Sequence, residues 1–192
     1  MTNLLILGAS GNIARKVIDL LSGESDIRMN LFVRNARRLG NHTSADNRVI
    51  VGDALDLTAL RQALTGIDIV YANLAGELEK MAENIVKAMQ EKNVKRLIFI
   101  SSIGIYDEPI RPVLRPYRRA ADVIEASELD YTILRPTWFT DADEVDYELT
   151  RKGEPERGSV ISQKSLASFI VKVIKAPETY KRENLGINKP IS

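Results

Sequence analysis

The chain of 192 residues contains no cysteine and a single histidine, His42. Without cysteine it cannot form disulfides, iron–sulfur clusters, cysteine zinc sites or a thiolate nucleophile. One histidine cannot supply the imidazole clusters that usually bind catalytic metals, and His42 lies in a polar stretch that is typical of a solvated loop. We therefore expect no metal site.

A strong net charge and long apolar runs are also missing. The formal net charge is +1, so electrostatics alone give no reason to expect a nucleic-acid partner or an anionic membrane. No apolar run approaches the roughly 20 residues of a membrane-spanning helix. The first apolar run begins almost at the N-terminus, which leaves no room for a signal peptide. We therefore expect a soluble, cytoplasmic chain with no nucleic-acid or membrane partner.

Short apolar runs alternate with helical patterns along most of the chain. The hydrophobic content of 44% is sufficient for an α/β core, and the alternation predicts a parallel sheet with helices on both faces. The predicted fold is therefore α/β, with a doubly wound parallel sheet of Rossmann type. The predicted strands span residues 3–7, 30–34, 48–52, 68–75, 95–102 and 130–136, and the predicted helices span 14–22, 58–66, 79–93, 117–127 and 165–174.

The pattern changes after Pro136. Residues 145–150 and 158–162 are each short apolar stretches, which predict a hairpin around "RKGEPER". No linker, low-complexity stretch or internal repeat divides the chain. We therefore expect a single domain over residues 1–192, in which residues 136–192 form a small C-terminal cap on the substrate side.

A glycine turn separates the first predicted strand from the first helix. It has the pattern Gly-x-x-Gly-x-x-Ala, formed by Gly8, Gly11 and Ala14. Gly8 permits the tight turn, Gly11 lets the backbone approach a pyrophosphate, and Ala14 keeps the helix close to the sheet. The helix N-terminus and its dipole would then hold the diphosphate. The turn residues expected at the cofactor are Gly8, Ser10, Gly11, Asn12 and Ile13.

Several stretches together resemble the short-chain dehydrogenase/reductase superfamily, and in particular its atypical, NmrA-like NAD(P)-binding branch. "GASGNIA" is similar to the dinucleotide turn of that superfamily. The resemblance implies a Rossmann fold that binds NAD(P), but no single reaction, because the branch includes reductases, redox-sensing regulators and many uncharacterised members. The other similar stretches are "LFVRN" (31–35), "GDALD" (52–56), "FISSIGIY" (99–106), "YTILRP" (131–136) and "ISQKSLASFIVKVI" (161–174).

The residue type at the end of the second predicted strand indicates whether such a domain prefers NAD or NADP. NAD-preferring domains place a carboxylate there for the ribose 2′-hydroxyl, whereas this chain has Arg34, followed by Arg37 and Arg38. A guanidinium stays charged and can bond a 2′-phosphate bidentately. We therefore expect NADP(H) in preference to NAD(H), with Arg34 as the main contact and Ser10 and Arg37 or Arg38 in support. A solvated loop is the alternative for Arg37 and Arg38.

The resemblance also implies further cofactor contacts after the later strands. Asp53 matches the residue that bonds the adenine amine in the family, whereas Asp56 fits a helix cap better. The residues after Pro136, namely Thr137, Trp138 and Phe139, match those that bond the nicotinamide carboxamide in the family. Trp138, the single tryptophan, could line the substrate pocket or pack elsewhere. The remaining expected contacts are Ala54, Asn73, Leu74, Ala75, Ser101, Pro136, Thr137, Trp138 and Phe139.

The usual catalytic set of the superfamily is incomplete in this chain. In the superfamily a serine polarises the carbonyl, a tyrosine transfers the proton, and a lysine four residues later lowers the tyrosine pKa. Ser102 and Tyr117 match the first two positions, but Ala121 stands where the lysine would be. Arg118 and Arg119 follow Tyr117 directly and so point to other helix faces.

Three interpretations therefore stay open. The chain could reduce a small activated acceptor, such as a quinone, flavin or enone-like compound, with Ser102 or water supplying the proton. It could instead bind NADP(H) without turnover, as a redox sensor or scaffold with a regulatory protein partner or as a homodimer. In the third, Tyr106 lies near the cofactor, although packing is the usual role of this residue.

The segment 107–116 lies where a lid would lie, between a predicted strand and a helix. Arginines in and after this segment could favour an anionic substrate, or they could form a basic stretch that faces the acidic run 141–146. Because the chain lacks a larger C-terminal substrate domain, we expect a shallow, open pocket for a small-molecule substrate. The arginines are Arg111, Arg115, Arg118 and Arg119.

Overall fold

The computed structural model describes residues 1–191, over which the chain forms ten strands and five α-helices. Short 3₁₀ helices span Ala36–Leu39 and Pro112–Leu114. No helix of residues 1–191 is long and apolar enough to cross a membrane. In chain order the elements are β1 (Thr2–Leu7), α1 (Asn12–Leu21), β2 (Ile27–Val33), β3 (Arg48–Val51), α2 (Leu57–Ala63), β4 (Ile69–Ala72), α3 (Leu78–Glu91), β5 (Arg96–Ile100), α4 (Arg115–Glu125), β6 (Asp130–Pro136), β7 (Trp138–Thr140), β8 (Glu148–Arg151), β9 (Val160–Ser162), α5 (Gln163–Lys175) and β10 (Glu183–Asn188).

The main sheet has the strand order β3-β2-β1-β4-β5-β6-β10-β8. All neighbouring strands in it are parallel except β8, which runs antiparallel to β10. A separate two-stranded parallel sheet joins β7 and β9. The order reverses at β1, where the chain crosses from the β2–β3 side to the β4–β5–β6 side. The predicted doubly wound Rossmann-type sheet in a single domain is thus confirmed.

Both faces of the main sheet are covered, as its apolar runs require. In β1, Leu5 and Leu7 pack into one core with α2, α3 and α4, while Leu4 and Ile6 pack into a second core with α1 and α5. Successive side chains of a strand point to opposite faces, so a strand covered on both faces needs apolar residues at every position. This explains why β1 reads as a continuous apolar run.

The C-terminal segment differs from the prediction. The expected hairpin is wrong, because β8 pairs with β10 and β9 pairs with β7. Residues 183–188 form a strand of the main sheet that the sequence did not indicate, since Asn184 and Asn188 interrupt its apolar pattern. Both asparagines are buried and hydrogen-bonded. The segment 136–192, which was predicted as a cap, therefore also supplies β8, β10 and α5 to the main fold.

Candidate functional site

Two adjoining cavities lie at the carboxyl ends of the parallel strands, where the strand order reverses. This is the position at which open α/β sheets bind ligands. We call them the β2 cavity, of about 270 Å³, and the β5 cavity, of about 500 Å³, after the strand beside each. They share four residues, namely Gly11, Asn73, Leu74 and Ala75.

Most of the predicted site residues line one of these cavities. The β2 cavity is lined, among others, by Gly8, Ser10, Gly11, Arg34, Asp53, Ala54, Asn73, Leu74 and Ala75. Besides the four shared residues, the β5 cavity is lined by Ser101, Ser102, Tyr117, Pro136, Thr137, Trp138 and Phe139. The exceptions are Asn12, Ile13 and Arg37, which line neither cavity.

The glycine turn passes so close to the residue after β4 that side chains are excluded. Gly8 has φ +78°, and a Cβ atom on it would lie 2.1 Å from the carbonyl oxygen of Asn73. A Cβ atom on Gly11 would lie 2.5 Å from Nδ2 of Asn73. The turn therefore offers bare backbone to a ligand at the boundary of the two cavities.

The N-terminus of α1 begins directly at this turn. Gly11 is the N-cap residue, so no side chain caps the helix, and its first turn carries no acidic residue. The first backbone N–H groups thus remain available for an anion. Asn12 is exposed, whereas the side chain of Ile13 is buried in the core, so Ile13 can reach a ligand only through its backbone. Ala14 is fully buried, as the close packing of the helix requires.

The segment after β2 separates its arginines. Arg34 and Arg38 line the β2 cavity, and Arg37 does not. The reason is the 3₁₀ helix that follows Asn35, since its tight turn directs consecutive side chains to different sides. Arg15 of α1 donates to the carbonyl oxygen of Arg38 and ties this segment to the dinucleotide turn.

Asp53 lies in a turn that three hydrogen bonds hold in place. Its Oδ1 atom accepts from the backbone N–H of Leu55 at 2.9 Å. Asn84 of α3, which is buried, donates to the carbonyl oxygens of Ala54 and Leu55 at 3.2 and 3.0 Å. Asp56 caps α2 with its side chain, as predicted. The turn thus presents the Asp53 side chain at the edge of the β2 cavity.

Two buried hydroxyl groups in the β5 cavity have no partner among residues 1–191. They belong to Ser101 and Thr137, whose side chains are nearly inaccessible. A buried polar group without a partner costs about 1–3 kcal/mol, so both favour a polar ligand atom in this cavity. By contrast, the Ser102 hydroxyl donates to the carbonyl oxygen of Ile103 at 3.1 Å. Tyr117 is half-buried at the same cavity.

Ala121 faces away from water, into the core beneath α4. It is fully buried in the apolar cluster that also contains residues of α2 and α3. A lysine at this position would place its stem and charge among apolar side chains. Arg118 does not replace that charge, because its Nε atom pairs with Asp122 at 2.9 Å, and this hydrogen bond raises the pKa of Arg118.

Tyr106 lines neither cavity, so its packing role is the one observed. Its hydroxyl oxygen accepts from Nδ2 of Asn184 at 2.7 Å. Its ring lies 4.7 Å from the guanidinium carbon of Arg118 and 4.7 Å from Nζ of Lys152. Burial, together with the charge of Glu125, raises the pKa of Tyr106.

The acidic run 141–146 does not neutralise the arginine-rich segment. Asp143 pairs with Lys164 at 2.5 Å, and Glu144 pairs with Lys189 at 2.7 Å. Within residues 1–191, no ion pair joins this run to Arg111, Arg115, Arg118 or Arg119. The acidic side chains pair with lysines that the sequence pattern did not connect with them.

Several lining residues were not predicted. Gly52 carried a detectable sequence signal, because it is a glycine at the end of the predicted third strand. In the structure a Cβ atom on it would lie 2.6 Å from the ring of Phe32. The apolar residues carried no such signal, since the tertiary structure alone decides which core side chains border a cavity. The unpredicted residues are Phe32, Val33, Asn35, Gly52 and Met81 in the β2 cavity, and Ile100, Ile103, Val113 and Leu114 in the β5 cavity.

The observed features fit a dinucleotide. The bare glycine turn and the uncapped N-terminus of α1 lie between two cavities that share four lining residues. One cavity carries Arg34 and the other carries the free hydroxyls of Ser101 and Thr137. A diphosphate at the turn would extend its two nucleosides into the two cavities.

Comparisons with solved structures agree with this assignment. The chain superposes with a TM-score of 0.92 on a Rossmann-fold NAD(P)-binding family protein from Shigella flexneri, at 48% identity, covering 99% of this chain and 94% of that one. A short-chain dehydrogenase/reductase from Veillonella parvula, crystallised in complex with NADP, gives a TM-score of 0.86 at 27% identity, covering 98% and 95%.

Curated relatives are more distant and longer. One is the (4-alkanoyl-5-oxo-2,5-dihydrofuran-3-yl)methyl phosphate reductase of Streptomyces griseus, 25% identical over 137 residues that make up 71% of this chain. The chain spans 33% and 48% of the lengths of two of these relatives. Residues 8–177 match a family described as NAD(P)H-binding. The chain therefore belongs to this NAD(P)H-binding family, as an atypical, NmrA-like short-chain dehydrogenase/reductase with a Rossmann fold.

Proposed function

We propose that the chain is an NADPH-dependent reductase of small activated acceptors, such as quinones, flavins or enone-like compounds. The observation that carries this proposal is the pair of cavities that meet at Gly11, Asn73, Leu74 and Ala75. With a dinucleotide held there, the β5 cavity would accommodate its nicotinamide end and an acceptor. The name of the Streptomyces griseus relative, the reductase of an unsaturated ring phosphate, supports the enone-like class.

NADP(H) is the preferred cofactor in this proposal. Arg34 and Arg38 both line the β2 cavity, so two guanidinium groups are available for a 2′-phosphate. Asp53, in the same cavity, would accept a hydrogen bond from the adenine amine. The NADP complex of the Veillonella parvula protein supports this preference.

The residues of the β5 cavity would orient the nicotinamide ring and contact the acceptor. NADPH, when bound, supplies a hydride. The buried hydroxyls of Ser101 and Thr137 would hydrogen-bond the nicotinamide carboxamide and so orient its ring, while Ser102 and Tyr117 face the acceptor. Tyr117 lacks the lysine that normally assists proton transfer, because Ala121 is part of the core. Acceptors that take a hydride without prior protonation suit this site best.

The cofactor preference is tested by calorimetric titration of NADP⁺ and NAD⁺. Arg34→Ala should weaken NADP⁺ binding by about 10- to 100-fold, the equivalent of one charge-assisted phosphate contact. It should leave NAD⁺ binding unchanged. Arg28→Ala, at the opposite end of β2, is the matched control and should bind both cofactors normally. Tighter binding of NAD⁺ than of NADP⁺ by the unaltered chain would refute the preference.

Turnover is tested by following NADPH oxidation with a panel of quinones, flavins and enones. Steady oxidation supports the reductase, and Ser102→Ala and Tyr117→Phe should each slow it. The buried Ala121 favours one alternative, an NADP(H)-binding sensor without turnover. Tight NADPH binding with no oxidation across the panel, and a partner protein bound in one cofactor state only, would favour that sensor.

A further inference from the structure

We propose that the acceptor carries an anionic group, bound by Arg111, on an apolar ring that packs against Trp138 and Val113. This inference rests on the proposed reductase function, because it concerns the acceptor part of the β5 cavity. It adds to the proposed acceptor class an anionic group and the residue that would bind it.

The first support is the charge of the cavity lining. Among the described residues that line the β5 cavity, Arg111 is the one charged side chain. The rest of the lining is apolar, apart from the Asn73 amide and the hydroxyls of Ser101, Ser102, Thr137 and Tyr117. A single cation in an apolar wall selects a ligand with one anionic end and an apolar body.

The second support is that Arg111 is available in the β5 cavity, whereas Arg118 and Arg119 are held in ion pairs. Arg118 pairs with Asp122 at 2.9 Å and Arg119 pairs with Glu79 at 3.1 Å. Arg111 forms no ion pair within residues 1–191, even with Asp107, which lies on the same side of Gly104. An unpaired guanidinium can bind a carboxylate or phosphate bidentately without breaking an existing contact.

The third support is the exposed apolar surface at the cavity mouth. Trp138 and Val113 line the cavity but remain 69% and 70% exposed. The backbone of Trp138 is fixed, since β7 pairs with β9 and its N–H donates to the carbonyl oxygen of Ser159 at 3.1 Å. An aromatic side chain on a fixed backbone, with an uncovered face, is suited to stacking on a flat conjugated ring.

Riboflavin and FMN provide a matched pair of probes. They share one isoalloxazine ring and differ in a phosphate, so ring stacking and redox chemistry are held constant. Trp138 is the only tryptophan, and its fluorescence reports binding without turnover. Saturating NADP⁺ occupies the diphosphate site and prevents FMN from binding there.

We expect FMN to bind about tenfold tighter than riboflavin, as one charge-assisted contact implies. Arg111→Gln should abolish that ratio and leave riboflavin binding unchanged. Arg115→Gln, which removes the same charge from an exposed arginine outside the cavity lining, should preserve it.

Three results would overturn the inference. The first is equal binding of both flavins by the unaltered chain. The second is loss of the preference for FMN in Arg115→Gln as well as in Arg111→Gln. The third is Trp138 fluorescence that responds to protein concentration but to neither flavin. The last would mean that the surface contacts a second copy of the chain. The reductase proposal fails separately: NADPH would remain unoxidised although Arg111 still selected FMN.

Discussion

The ion pair between Arg135 and Glu156 gives the sharpest prediction for stability. Arg135 lies on β6 with only 1% of its side chain exposed, and its Nε atom donates to Oε1 of Glu156 at 2.8 Å. The other oxygen, Oε2, accepts from the backbone N–H of Gly104 at 3.0 Å. The carboxylate thus neutralises a buried guanidinium and anchors the segment that follows β5.

Glu156→Gln should destabilise the fold by about 3 kcal/mol. Breaking a buried ion pair costs about 3–5 kcal/mol, and the lower end applies because the Glu156 side chain is 21% exposed. A glutamine has one acceptor oxygen, so its NH₂ group must face either Arg135 or Gly104, both of which donate. At about 2–4 °C per kcal/mol for a domain of this size, the midpoint of thermal unfolding should fall by about 6–12 °C.

Urea unfolding of a double-mutant cycle is the assay. The cycle combines Glu156→Gln with Arg135→Met, and the two changes should couple by more than about 1 kcal/mol because the residues are in contact. Asp143→Asn, which removes an exposed partner of Lys164, is the control and should leave the midpoint unchanged. The reasoning is refuted if Glu156→Gln behaves like the control or if the coupling is absent.

Substitutions at three further positions test other parts of the fold by urea unfolding. Tyr71→Phe should stabilise the chain by about 1 kcal/mol, because it removes a buried hydroxyl without a partner in residues 1–191; a lower midpoint would contradict this. Asp56→Ala should cost about 1 kcal/mol through loss of the α2 cap, and Asp56→Asn should recover most of it. Gly8→Ala should cost more than about 2 kcal/mol, because strain at positive φ adds to the collision with the Asn73 carbonyl; normal stability would mean that the turn can shift.

The cofactor half of the site was largely predictable from the sequence because its signals are local. Gly8, Gly11 and Ala14 lie within one strand–turn–helix unit, and Arg34 follows the next strand directly. The backbone geometry that these residues need is specified by their immediate neighbours. The sequence could not choose between Arg37 and Arg38, since a one-residue difference in a 3₁₀ turn decides which arginine reaches the cavity.

The C-terminal third was less predictable because its strands pair over long distances. β10 lies between β6 and β8, and its buried asparagines are stabilised by partners on other elements. Asn184 donates to Tyr106 and Glu125, and Asn188 donates to Glu148. A polar residue that is buried through such contacts looks like a loop residue in the sequence. The false hairpin arose from this, since without β10 the nearest partner for β8 was β9.

Apart from the four residues that it shares with the β2 cavity, the β5 cavity is lined by three separate segments, and in the proposed function these segments separate acceptor choice from cofactor binding. Arg111 and Val113 lie before α4, Trp138 lies on β7, and the Ser101 hydroxyl follows β5. None of the first three belongs to the glycine turn or to the end of β2. Because connecting segments tolerate substitution better than the elements they connect, substitutions at Arg111 and Val113 should change the proposed acceptor without altering the dinucleotide site. The cofactor motif therefore identifies the family, whereas the proposed substrate depends on the segment before α4 and on β7.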